Sequence, residues 1–161
     1  MPTRSLGLGL FWLAGLAHMA NADDQHKQPI VQKIAVQMQE RLIRIVMEID
    51  GTTLDATLEG NKTAEHFVSL LPLSLTLEDY AATEKIGDLP EKLSTQDAPA
   101  GYVPAAGDLA YYAPWGNLAI FHKNFRYSPQ LVKLGHFDSG LEVLRKSGAK
   151  QVTIRRSEGE K

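Results

Sequence analysis

Two alternating runs set back to back in Gly107–Phe137 constrain this chain more than any other feature. In the first, Leu109, Tyr111 and Ala113 alternate with Asp108, Ala110 and Tyr112. In the second, Leu118, Ile120 and His122 alternate with Asn117, Ala119 and Phe121. A period of two sends one set of side chains to each face of a strand. Between the runs, Pro114-Trp115-Gly116-Asn117 carries the Pro, Gly and Asn of a turn or bulge. The stretch therefore predicts a pair of strands, with Tyr111 on the same face as Leu109 and so in the core.

The same period recurs elsewhere. Leu42–Ile49 places Ile43, Ile45, Met47 and Ile49 on one face and Arg44 and Glu48 on the other. Asp50-Gly51 follows, a pair that accepts the positive φ of a hairpin turn, and Thr53–Glu59 alternates again with Leu54, Ala56 and Leu58 inward. Asn61 is a suitable N-cap for a helix in which Ala64, Phe67, Val68 and Leu71 share a face, ended by Pro72. The Asn61-Lys62-Thr63 sequon is read as chance, and His66, off the apolar stripe, as an ordinary surface residue. Leu73, Leu75 and Leu77 mark a further strand. From Asp79 to Ala106 periodicity is lost and Gly and Pro punctuate the chain, so residues 80–106 read either as a binding loop or lid, or as a packed surface excursion with a short strand or helical turn. Lys123–Gln130 reads as a turn and Leu131–Phe137 as a strand. Ser139 and Glu142 have capping-box spacing for a second short helix, and Gln151–Arg156 closes the chain as a strand. Six or more strands with two short helices predict a mostly-β fold closed into a small barrel, because closure removes exposed edges, with the helices plugging the ends.

The first 22 residues have a different character. Arg4, an apolar run from Leu6 to Ala17, and Ala20-Asn21-Ala22 form the three parts of a secretory signal peptide. The run is short against the roughly 20 residues of a membrane-spanning helix. The expected organisation is a signal peptide at 1–22, a polar leader at 23–40 and a barrel domain at 41–157. The mature protein is then periplasmic or secreted, with no membrane segment after cleavage. Losing Arg4 makes the mature chain one unit more acidic than the full chain's −2, which gives no electrostatic footprint for nucleic acid. The absence of cysteine excludes disulfides, thiol catalysis and thiolate-bound metal. A small exported domain without disulfides needs a well-packed core, which again favours a closed sheet.

Asn61–Pro90, Gly107–Phe125 and Leu131–Leu144 together resemble the bacterial and archaeal cyclophilin-like barrel family, and Ala-Pro-Trp-Gly-Asn-Leu-Ala-Ile-Phe at 113–121 is the most specific part. The resemblance spans about Leu42 to Arg156. It implies a cyclophilin-like β-barrel and, for activity, suggests peptidyl-prolyl isomerisation. Catalytic cyclophilins carry their arginine in a Phe-His-Arg-type run followed by a Gln-Gly-Gly-Asp segment, and neither stands in this sequence. Arg126, beside Phe125 and Tyr127, has the required chemistry without the motif.

The residues themselves favour a peptide or small ligand bound at an aromatic surface. Tyr80, Tyr102, Tyr111, Tyr112, Trp115 and Phe125 are more aromatic side chains than a barrel interior readily takes. Tyr112, Trp115, Asn117 and Phe125 are the candidate ligand-binding residues, and Arg126 is the candidate catalytic residue for isomerisation. His122 and His136, read as lying on adjacent strands, are two short of a zinc site, so no metal or other cofactor is expected. Glu84 and Asp88 read as a solvated acid pair. Nucleotide-binding and hydrolase motifs are absent. For export, the expected outcome is a purified mature protein whose intact mass begins at Asp23. A chain retaining residues 1–22 after secretion would contradict the cleavage.

Overall fold

The computed structural model describes residues 43–157, together with Gln32 and Lys33, which are helical and exposed. The expected signal peptide, nearly all of the expected leader, and Leu42 lie outside the described residues. In chain order the elements are β1 (Ile43–Ile49), β2 (Thr52–Leu58), α1 (Lys62–Ser69), β3 (Leu73–Tyr80), β4 (Glu84–Asp88), β5 (Gly101–Tyr102), β6 (Asp108–Tyr112), β7 (Asn117–Phe121), β8 (Ser128–Pro129), β9 (Leu131–Phe137), α2 (Leu141–Arg145) and β10 (Lys150–Arg156). Eight strands close a barrel in the order β1-β10-β3-β4-β7-β6-β9-β2, and β5 and β8 pair as a separate two-stranded ribbon. Every pairing is antiparallel.

The alternating residues fill the interior as their period requires. Ile45, Met47 and Ile49 of β1 meet Leu54, Ala56 and Leu58 of β2, Leu75 and Leu77 of β3, and Leu109, Tyr111, Leu118 and Ile120 of β6 and β7 in one core. The β1–β2 turn uses Asp50 and Gly51 at φ 47° and 73°, as the dipeptide predicted. In α1 the Asn61 side chain accepts from the Ala64 N–H at 2.9 Å, and its amide donates to the Lys133 carbonyl, fastening the helix start to β9. Phe67 and Val68 enter the core from that helix, and Val143 and Leu144 enter it from α2. His66 is bonded rather than free: Nδ1 accepts from the Ser94 N–H and Nε2 lies 2.8 Å from Glu91, tying α1 to the 91–94 segment.

Several sequence expectations are corrected. The second helix has no capping box: its N-cap is Gly140, in a left-handed conformation, with no side-chain cap from Ser139. The stretch 80–106 contains β4 and β5, short strands of the kind its second reading allowed. The segment expected as a simple turn at 123–130 holds β8, which pairs with β5 through Gly101–Pro129 and Tyr102–Ser128. The two histidines are not on adjacent strands, because β6 separates β7 from β9. His136 is instead directed to Asp138 at 3.3 Å. Among the described residues no group of three or more potential ligands converges as a metal site would.

Gly135 shows how tightly the ring is drawn. It sits opposite Leu58 in β2 and Leu109 in β6. A β-carbon there would collide with the Thr57 carbonyl and approach the Leu58 α-carbon to 2.8 Å, so β2 meets it through backbone that has little room to move. Gly135→Ala is expected to lower stability by about 1–3 kcal/mol through overpacking, read as an earlier midpoint in urea unfolding. An unchanged midpoint would show that the ring yields more easily than the geometry implies.

Candidate functional site

The barrel's outer face is ordinarily the wet side of such a sheet. Here it is covered along β6 and β7, whose residues Asn117, Ala119, Phe121 and Ala110 are all buried. The cover is made by the β5–β8 ribbon and its flanking segments. Gln130 N–H donates to the Ala100 carbonyl at 2.8 Å, Phe125 N–H to Pro104 at 3.0 Å, and Ala106 N–H to the Asn124 side chain at 2.9 Å. Gly101 permits this closeness, because a β-carbon on it would strike the Ser128 carbonyl. A second apolar cluster forms beneath the cover from Ala110, Ala119, Phe121 and Leu131, with Ile86, Tyr102, Tyr112 and Phe125 packed against it.

The cover stops short of β4, and the gap is a groove of about 210 Å3. Ala119 and Ile86 contribute to its base and Tyr80, Tyr112, Trp115, Phe121 and Phe125 to its aromatic lining; Glu84, Asn117, Arg126, Ser128 and Leu131 complete it. Trp115 stands edge-on to both Tyr80 and Tyr112, with ring centroids 5.4 and 5.5 Å apart. Such T-shaped pairs hold each ring in a fixed orientation. The indole is nevertheless 56% exposed, so it forms a wall and not a plug.

Two buried polar side chains reach this groove. Asn117 is only 2% exposed; its amide N–H donates to the Leu118 carbonyl at 3.1 Å, while its Oδ1 accepts nothing. Glu84 is 8% exposed, and burial alone lifts its carboxyl from 4.5 to about 7. Among the described residues no cation lies within ion-pair distance of it. Glu84 faces Phe121 and Asn117 faces Asp88 in the β4–β7 pairing, so the two lie about 13 Å apart along the strands. Burial, with Asp108 close by, also pushes the Tyr102 hydroxyl well above the usual phenol range, so that ring stays neutral under the cover.

The opposite face of β4 is equally unusual. Lys85 is completely buried and reaches the Asp79 carboxylate at 2.6 Å and the Gly148 carbonyl at 2.7 Å. The lysine's hydrogen bond, aided by one from the Gly148 N–H, holds Asp79 below the usual carboxylate range. His122 lies near this group and is pushed down, first by burial and then by the charges of Lys123 and Lys85.

All five sequence candidates, Tyr112, Trp115, Asn117, Phe125 and Arg126, line the same groove. Arg126 sits at its exposed rim, with the guanidinium 4.9 Å from the centre of the Phe125 ring. Tyr111 is core, as the alternation predicted. Glu84 was missed. It is buried and unpaired in the groove wall, and only Asp88 of that pair is solvated. Tyr80 was noted only as surplus aromatic surface, and Phe121 only as one member of an alternating run.

A family model described as the cyclophilin-like family matches residues 47–155. The chain belongs to the cyclophilin-like family. Among solved structures, a hypothetical protein from Archaeoglobus fulgidus determined in solution is similar, with a TM-score of 0.55 and 15% identity over 72% of this chain and 95% of that one. That likeness is one of fold. Among curated proteins, no match was found.

The raised carboxyl has a direct consequence for stability. Folded Glu84 holds a proton up to about pH 7, whereas an ordinary glutamate gives it up near 4.5. The folded state therefore carries the extra proton between those values, and stability falls as pH rises through that window. Glu84→Gln has no such penalty. Its stability relative to the wild type is expected to rise from pH 5 to pH 8 by on the order of 3 kcal/mol, measured by denaturant unfolding at both pH values. A difference that does not change with pH would mean that the carboxyl is solvated.

Proposed function

We propose that this chain is an exported binding domain of the cyclophilin-like family that takes a peptide side chain or a small ring-bearing molecule into the outer-face groove. The observation that carries this reading is the groove itself: aromatic walls around a small apolar base, with the unpartnered Asn117 Oδ1 and the buried Glu84 side chain, which has no ion-pair partner among the described residues, along it. Such sites combine apolar contact with a few placed polar groups that set orientation. At about 210 Å3 the groove is smaller than the roughly 300–1,000 Å3 of drug-sized pockets, which restricts it to a single side chain or ring. Trp115 is the natural reporter once Trp12 is replaced by Phe in the full chain. Titration with a panel of short peptides, proline-containing ones included, is expected to give saturable quenching of Trp115. Tyr112→Ala is expected to weaken it about tenfold, the loss of one aromatic wall. A panel producing no quenching and no thermal shift would contradict the reading.

A second reading, prolyl isomerisation, is favoured by one observation, the position of Arg126 on the groove that Phe121 and Phe125 also line. A guanidinium beside an apolar pocket can stabilise a twisted prolyl bond by hydrogen bonding as its conjugation is lost, and the barrier to be lowered is about 18–20 kcal/mol. This reading predicts faster cis-to-trans conversion of an X-Pro peptide, with the acceleration lost in Arg126→Ala. A wild-type rate equal to the uncatalysed one would rule it out.

A further inference from the structure

We infer that the groove selects ligands carrying an organic ammonium group on a small apolar or aromatic body, with the cation seated against the Glu84 carboxylate and the body lying over Ala119 between the aromatic walls. The inference rests on the binding reading above and narrows it to one chemical class.

Three observations support it. First, Glu84 is a carboxylate that is more than nine-tenths buried with no cationic partner among the described residues, although it opens onto a cavity large enough for one. A buried charge is stable only when paired, and since none of the described residues supplies that partner, a cation entering the groove would. Second, the surroundings suit a cation. The aromatic residues Tyr80, Phe121 and Phe125 border the same groove, and aromatic rings attract positive charge most strongly where water is excluded. The chain itself seats one cation in this way, the Arg126 guanidinium over Phe125 at 4.9 Å. That arginine occupies the rim and does not reach the carboxylate, so it leaves the inner position open. Third, Asn117 offers an unpartnered Oδ1 further along the groove. Asn117 Oδ1 and the ionised Glu84 carboxylate thus both offer hydrogen-bond acceptors, which match the donors of an ammonium-bearing ligand.

The charge on Glu84 sets the pH dependence. With its carboxyl at about 7, the ionised form is about one-tenth populated at pH 6 and nine-tenths at pH 8, so affinity for a cation rises about tenfold over that interval. The titratable and charged groups facing this region from neighbouring elements are Tyr80 and Glu78 on β3, Tyr102 on β5, Asp108 and Tyr112 on β6, Asp88 on β4 itself, and Arg126 in the covering segment. Burial drives the Tyr102 hydroxyl upward, away from the window. His122, one residue beyond Phe121, lies among Lys123, Lys85, Arg145 and Asp79 and is pushed downward, away from the window.

The test is calorimetric titration of the full chain with 2-phenylethylammonium and with the neutral 2-phenylethanol, at pH 6 and pH 8. The expected result is that the amine binds about tenfold more tightly at pH 8 than at pH 6 and at least tenfold more tightly than the alcohol at pH 8. In Glu84→Gln both differences should vanish. The wild-type pH comparison needs no variant, so the test stands even if that substitution disturbs the fold. Alcohol binding as tight as amine binding, or amine affinity that is flat or falls with pH, overturns the cation inference and leaves a groove that binds by shape alone. Failure of both probes to bind overturns the binding reading and this inference with it.

Discussion

The short strand β4 closes the barrel between β3 and β7 while carrying a buried ionisable side chain on each face, and the inward one holds it there. Lys85 has no contact with solvent, so its charge is tolerable only because Asp79 and the Gly148 carbonyl meet it. Those partners come from the strand on one side and from the turn before β10, so a single ammonium ties the β3–β4 hairpin to a segment more than sixty residues away. With the ring closed there, the other face of β4 can leave Glu84 against a groove without unravelling the sheet edge. Removing Lys85 would therefore act on the groove as well as on the core.

The groove arises because the cover over the outer face is incomplete. Ala110 and Ala119 are small enough to let the β5–β8 ribbon and Phe125 settle closely on β6 and β7, and Gly101 lets the ribbon's own backbones approach. Toward β4 the cover gives way to Trp115, Tyr80 and Tyr112, which brace each other edge to face and remain upright. Rigid walls around a narrow base reduce the ordering cost a ligand must overcome. The family fold supplies the barrel; the proposed binding rests on the side chains along this face.

Where one face of a strand meets the core and the other meets water, the sequence reads cleanly. That is why β1, β2, β3 and β10 follow from alternation; β6 and β7, buried on both faces, were legible because Leu109, Tyr111, Leu118 and Ile120 still fall at every second position, which also put Tyr111 inward. The turn at Asp50-Gly51 and the cap at Asn61 were legible because their chemistry is local. β4 was not legible, since Glu-Lys-Ile-Gly-Asp carries charge to both faces and shows no apolar alternation. The same reason hid Glu84, whose burial depends on Phe121 across the strand and on the covering segment. The ribbon of β5 and β8 is two residues on each side, too short for any period to register. Tyr112, Trp115, Asn117, Phe125 and Arg126 were found because aromatic excess beside a turn is visible in one dimension, although only the fold brings them to one groove.

The account therefore depends on a carboxyl group kept out of water on the outside of a barrel. The most direct measurement is the titration of the Glu84 side-chain carboxyl carbon by nuclear magnetic resonance in the unliganded protein. A midpoint near 7 is predicted from its burial, together with a downward displacement of that midpoint when an ammonium ligand is added. A midpoint near 4.5, the ordinary glutamate value, would mean that water reaches the groove wall freely and would contradict the account.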